Sequence, residues 1–169
     1  MAATIELYLV RHAIAAERGP KYPDDRLRPL TPAGSKKFAE SVPGLVEMDV
    51  VIDFVLTSPL VRARETATLL AAGLKPKPAL VEIEALAPGG RHQAVVEAIK
   101  THSKRHRRLA LVGHEPDLGE LAARLIGARG NIEFKKGAVC LIELDGATPG
   151  GPGTLRWMLP PRALRALST

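Results

Sequence analysis

Three short stretches carry side chains able to do chemistry. Arg11-His12 follow the apolar run Leu7-Tyr8-Leu9-Val10. Arg62 lies just after the pair Ser58-Pro59, and Gly113-His114-Glu115-Pro116 follow Leu109-Ala110-Leu111-Val112. Arginine offers a rigid fork of donors matched to phosphate oxygens. A neutral imidazole is a competent nucleophile near neutral pH, because its ordinary pKa is about 6.5. It needs its other ring nitrogen tied to a backbone carbonyl, which holds the tautomer. Two arginines and a second histidine can neutralise the charge on a phosphoryl group in transfer. The set reads as a pocket for a phosphoryl dianion.

Such a pocket needs elements that bring the three stretches together. Strand patterns cover residues 5–10, 50–56, 79–83 and 109–112, and two more cover 139–144 and 155–159. Helix patterns cover 33–46, 92–103 and 116–127, after a turn-rich loop at 27–32. A further helix is expected to open at Ser58-Pro59, with serine as N-cap and proline at the first helical position, and to stop at Gly73. Strands alternating with helices predict a three-layer α/β/α sandwich with a mostly parallel central sheet. The last two strands, around a Gly/Pro-rich turn at 146–153, are expected to form a hairpin with one strand antiparallel at an edge. Ligands of such sheets bind beyond the carboxyl ends of the strands. All three chemical stretches sit at such ends, and helix N-termini there add N–H groups and a positive dipole end.

The chain has 169 residues, which predicts one domain over 1–169. No apolar run approaches the ~20 residues of a membrane span. A start without a signal-peptide pattern and a single cysteine point to a cytoplasmic protein. Cys140 sits inside an apolar strand pattern and is expected in the core. No G-x-S-x-G elbow and no G-x-x-x-x-G-K-[ST] loop occurs. Histidines flanked by arginines make a poor cation site, so no metal is expected. The net charge of +6 favours anionic partners. The densest basic run, Lys104-Arg105-His106-Arg107-Arg108, reads as a solvated helix end and turn. No nucleic-acid motif accompanies it, and no nucleic-acid partner is expected.

Four pieces in order, "LVRHA" (9–13), "LRPLTPAG" (27–34), "LTSPLVRARETA" (56–67) and "LVGHEP" (111–116), resemble the histidine phosphatase superfamily, the phosphoglycerate-mutase-like fold. The likeness is greatest to the small SixA-type phosphohistidine phosphatases. The resemblance implies that His12 is the nucleophile and is transiently phosphorylated. It implies that Arg11 and Arg62 hold the phosphoryl group, and that His114 contacts it and stabilises the transition state. Arg28 is expected as a phosphate or substrate contact in preference to Arg26. The resemblance implies no cofactor and no metal. Larger members carry a lid and an acid between the second arginine and the second histidine. Here that interval is short, so a minimal lid is expected, and Glu84 is the best-placed candidate acid.

The function implied is phosphatase action through a phosphohistidine intermediate, on phosphohistidine of a signalling protein such as a histidine-containing phosphotransfer domain. A phosphorylated imidazole leaves without a strong acid, whereas an alkoxide needs one. The alternatives are a phosphatase for small phosphate esters or a phosphorylated metabolite, and a non-catalytic phosphoprotein-binding module. A mutase must keep water from its intermediate, which a lidless site does poorly. A monomer with no membrane association is expected.

Overall fold

The computed structural model describes residues 3–146 and 152–169. The elements in chain order are β1 (Thr4–Arg11), α1 (Pro32–Glu47), β2 (Phe54–Thr57), α2 (Val61–Ala72), β3 (Ala79–Glu82) and α3 (His92–Ser103). Then follow β4 (Arg108–Gly113), α4 (Asp117–Ile126), β5 (Val139–Asp145), β6 (Thr154–Leu159) and α5 (Pro161–Leu167). Short 3-10 turns occupy Asp25–Leu27 and Glu84–Leu86. The expected turn at 146–153 falls largely outside the described residues. No helix among the described residues is long and apolar enough to cross a membrane.

One six-stranded sheet runs in the order β3-β2-β4-β1-β5-β6. The pairs β3/β2, β2/β4 and β4/β1 are parallel. Alternate side chains of each strand enter opposite layers, as the pleat requires. Ile5, Leu7 and Leu9 of β1 join Val95, Ile99, Leu118 and Leu121 of α3 and α4. Tyr8 and Val10 join Phe38, Val42, Ala67, Leu70 and Leu164 of α1, α2 and α5. The sandwich therefore has the three layers expected.

The antiparallel strand is not at an edge. β5 pairs antiparallel with both β1 and β6, so it lies inside the sheet, and the edge strand β6 runs in the same sense as β1. Buried on both faces from Val139 to Ile142, β5 is apolar there, and Cys140 is inaccessible within it. Burial also pushes the Cys140 thiol up to about 12, so it is an inert core residue.

Other departures have local causes. Val50 and Ile52 are buried in the loop that leads into β2, so their apolar character reflects packing and not pairing. The helix expected from Ser58 begins at Val61, and Pro59 lies outside it. The Ser58 hydroxyl accepts the Leu60 N–H (3.2 Å) before the helix starts. Helix α5 was not anticipated. Its signals are Pro161 at the first helical turn and Leu164, which is fully buried. It crosses α1 at Gly44, where a β-carbon would meet the Leu164 carbonyl oxygen at 2.0 Å.

Candidate active site

Parallel pairing fixes the strand ends. Arg11 is in register with Gly113, and Thr57 with Val112. The residues that follow, His12, Ser58 and His114, therefore emerge at one edge of the sheet. The His12 N–H bonds the Gly113 carbonyl (3.1 Å) and the Ser58 N–H bonds the Val112 carbonyl (3.0 Å), which continues the ladder one step past the strands. Gly137, in a left-handed conformation (φ 78°), donates its N–H to the carbonyls of Arg11 and His12. That conformation suits glycine, and it closes the floor of the site from the β5 side.

The structure brings Arg11, His12, Arg62 and His114 together. The two imidazole rings lie 5.1 Å apart between centroids. His12 Nδ1–H donates to the Ala13 carbonyl at 2.7 Å. A carbonyl can only accept, so this bond places the proton on Nδ1 and leaves a lone pair on Nε2. The Ala13 N–H donates to Thr66 Oγ1 (3.0 Å), and the Thr66 hydroxyl donates to the Arg62 carbonyl (2.7 Å). Helix α2 is thereby fixed to the His12 loop. His114 Nε2 lies 2.8 Å from Ser58 Oγ. That hydroxyl makes no other donation among the described hydrogen bonds, which assigns its proton to Nε2 and the ring proton to Nδ1.

Both histidines are neutral at pH 7. Burial is the main cause for His12, and the charges of Arg62 and Arg11 add to it against the Ala13 hydrogen bond, so its pKa falls to about 4. Burial, then the neighbouring His12 and Arg62, lower His114 to about 3. Arg62 is buried apart from 2% of its side chain. Its Nη1 donates to the Asp25 carbonyl (2.8 Å) and its Nη2 to Asp25 Oδ2 (2.9 Å). Arg11 Nη1 donates to the Phe134 carbonyl (2.6 Å). Among the described residues, three buried side-chain nitrogens have no protein partner: Arg11 Nε, Arg62 Nε and His114 Nδ1. All three belong to this one cluster. A buried donor left unpaired is costly, so three in one place describe a seat for an acceptor-rich anion.

Arg28 is drawn into the same cluster by way of Asp25. Its Nε donates to Asp25 Oδ1 (3.0 Å) and its Nη1 to the Ala16 carbonyl (2.8 Å). Those donors serve the loop that carries Asp25, and the Arg28 charge also acts on His12 and His114. Arg26 instead forms a two-pronged pair with Glu84, at 3.0 and 3.2 Å. That hydrogen bond holds the exposed Glu84 carboxyl below its ordinary value. Glu84 is therefore engaged in an exposed ion pair. Asp25 was not singled out in the sequence. Burial works to raise its carboxyl, but bonds and charges from Arg28 and Arg62 hold it below its ordinary value. Glu115 is the one carboxyl here that burial holds high. Its oxygens take the N–H groups of Gly119 (2.7 Å) and Phe134 (3.4 Å), so it braces the segment whose carbonyl holds Arg11.

From Arg62 to His114 every residue is described, and the chain there is α2, β3, one 3-10 turn, α3 and β4 joined by short loops. No helical insertion covers the site. A groove of about 320 Å³ opens beside Arg11, lined by Glu115, Pro116, Glu120, Ile132 and Glu133. Metal-ligand types gather beside the cluster, at His92, Asp117 and Glu120, with ligand atoms within 4.8 Å of one another. These residues sit in the first turns of α3 and α4, whose positive dipole ends oppose a cation.

Comparison with known proteins agrees with this geometry. The profile of the histidine phosphatase superfamily (branch 1) matches residues 7–138. An uncharacterised protein of Picosynechococcus sp. is 38% identical over 139 residues, which span 80% of this chain and 82% of that protein. The structure of the protein histidine phosphatase SixA complexed with tungstate superposes with a TM-score of 0.82 at 26% identity, over 95% of this chain and 99% of that one. The alpha-ribazole phosphatase from Shigella flexneri shares the fold, with a TM-score of 0.63 at 19% identity, over 90% of this chain and 95% of that one.

Proposed function

The chain belongs to the histidine phosphatase superfamily, and we propose that it is a phosphatase that works through a phosphohistidine on His12 and whose substrate is phosphohistidine on a protein. His12 Nε2 attacks phosphorus, the bond to the leaving group breaks, and the phosphoryl group passes to Nε2. The Nδ1–H bond to Ala13 disperses the charge that develops on the ring. Arg11 Nε, Arg62 Nε and His114 Nδ1–H take the three equatorial oxygens of the transferring group. Water then attacks the phosphorus on His12 and inorganic phosphate leaves.

One observation carries the choice of substrate. Asp25 beside Arg62 and Glu84 paired with Arg26 are both held below their ordinary values by arginines, and Glu115, the carboxyl that burial raises, has its two oxygens engaged by the N–H groups of Gly119 and Phe134. None of the three is free to serve as a proton store for an alkoxide leaving group. A phosphorylated imidazole protonated on its far nitrogen leaves as neutral imidazole and needs none. The uncovered rim supports a substrate carried on a protein surface. The likeness to SixA, a protein histidine phosphatase, supports the same reading.

The groove beside Arg11 favours a second reading, hydrolysis of a small phosphate ester, because it has room for a compact leaving group. The test is one panel of substrates: a phosphohistidine phosphotransfer protein, free phosphohistidine, an aryl phosphate and an alkyl phosphate. The proposal expects kcat/KM to be greatest for the phosphoprotein and least for the alkyl ester. An alkyl ester cleaved faster than the phosphoprotein would overturn it in favour of the second reading.

A further inference from the structure

We infer that Asp25 is a positioning residue for the phosphoryl transfer, acting through Arg62. This rests on the reading that Arg62 holds the phosphoryl group. A guanidinium has two edges that can bind an anion, the end formed by Nη1 and Nη2 and the side formed by Nε and one Nη. Asp25 takes the whole end edge. Its backbone carbonyl holds Nη1 at 2.8 Å and its carboxylate holds Nη2 at 2.9 Å. The side edge remains, and Nε on that edge is the atom without a partner. One residue, gripping with both main chain and side chain, thereby decides which edge of Arg62 faces the phosphoryl group.

Asp25 is itself held. Arg28 Nε donates to Oδ1 at 3.0 Å, Arg18 Nε lies 3.4 Å from the same oxygen, and Arg28 is anchored to the Ala16 carbonyl. The order of support is Ala16, Arg28, Asp25, Arg62. The arrangement also answers an electrostatic need. Burial and the nearby Arg28 charge both work against the Arg62 cation, and Asp25 works for it. A buried cation without this partner would be costly to keep. The sequence distance of 37 residues between the two explains why no local motif advertises the pair.

The charge and the alignment pull in opposite directions, and that separates this role from a merely structural one. Asp25 lowers the positive potential of the pocket while fixing the Arg62 edge. Asp25→Asn, in the full chain, is therefore expected to lower kcat by about 10- to 100-fold, the scale of a small misalignment in a reacting site. The inhibition constant for inorganic phosphate is expected to stay the same or fall. Asp25→Glu, which keeps the charge, is expected to recover part of kcat. Wild-type kcat in Asp25→Asn would overturn the inference. So would a matched loss of kcat and phosphate affinity with a lower Tm, which is the signature of a disordered loop. Should Asp25→Asn fail to fold, Arg28→Lys reads the same chain one step out. It is expected to lower kcat about three- to tenfold with phosphate affinity kept, and an unchanged kcat there overturns the inference. Arg62→Ala is run alongside. If Arg62→Ala retains wild-type turnover, the reading of Arg62 itself fails; if it is inactive while Asp25→Asn is normal, only the inference about Asp25 fails.

Discussion

The two edges of the sheet are both rich in arginine, and only one of them is built to receive an anion. At the amino edge, Arg105 to Arg108 follow α3 and line a groove of about 510 Å³ with Lys77 and Asp53. Arg108 there is committed to Asp53, through Nε at 3.1 Å and Nη2 at 2.9 Å. At the carboxyl edge, Arg11 at the end of β1 and Arg62 in the first turn of α2 lie in or against the core and keep Nε unpaired. The density of basic residues along the chain is greatest at the edge opposite the two buried histidines. What marks the site is burial together with unsatisfied donors, a property of the fold and not of the run of charges.

Substitutions at the two edges can break or sharpen this contrast. The largest effect is expected from His12→Ala, which should cut turnover by at least about 10³-fold, because the nucleophile itself is lost. Arg62→Lys keeps the charge but loses the planar fork, and should cost about 10²-fold in kcat/KM. Steady-state kinetics on one substrate checks both. At the opposite edge, the double reversal Arg105→Glu with Arg107→Glu should leave kcat/KM for a small phosphate substrate within about twofold, since exposed charges at that distance are screened. A large loss there would show that the amino edge takes part in catalysis and would break the comparison.

The pH dependence separates the edges as well. His12 must be neutral to attack, and its lowered value puts the acid limb of kcat/KM near pH 4 and not near pH 6.5. Stability has the same sign. Between about pH 6.5 and 4 the unfolded chain binds protons at His12 and His114 that the folded chain does not. Their contribution is therefore full above about pH 6.5 and is lost as pH falls through that window. Urea unfolding against pH should show this slope, and His12→Asn with His114→Asn should flatten it. The smallest effect is expected at Asp53, whose carboxylate takes the N–H groups of Arg107 and Arg108 and the Arg108 side chain. Asp53→Asn should cost roughly 1 kcal/mol of stability, discounted for its partial exposure, with turnover unchanged.

The parts of this site legible in the sequence are those that a strand end dictates. Arg11, His12 and His114 each follow an apolar run, and parallel pairing must then bring them to one edge. Arg62 follows for the same reason, one helical turn later. The supports were not legible, because each is a contact between distant segments. Asp25 grips Arg62 from a 3-10 turn, and the Phe134 carbonyl holds Arg11 from the loop before β5. Ser58 looked like a helix cap and is instead the partner of His114 Nε2. Glu84 had the right position in the chain for an acid, but its pairing with Arg26, 58 residues away, has no local signal. The sheet was legible except where pairing is long-range: the entry of β5 between β1 and β6 has no local signal, since an apolar run reads alike at an edge or inside.

The central claim is that His12 carries the phosphoryl group during turnover. The direct measurement is to mix the wild-type protein with a radiolabelled phosphoryl donor, quench in alkali within milliseconds, and map the label by mass spectrometry. The account predicts a label on His12 that survives alkali, is lost in acid, and is absent in His12→Ala. A label on another residue, or full turnover in His12→Ala, would contradict it.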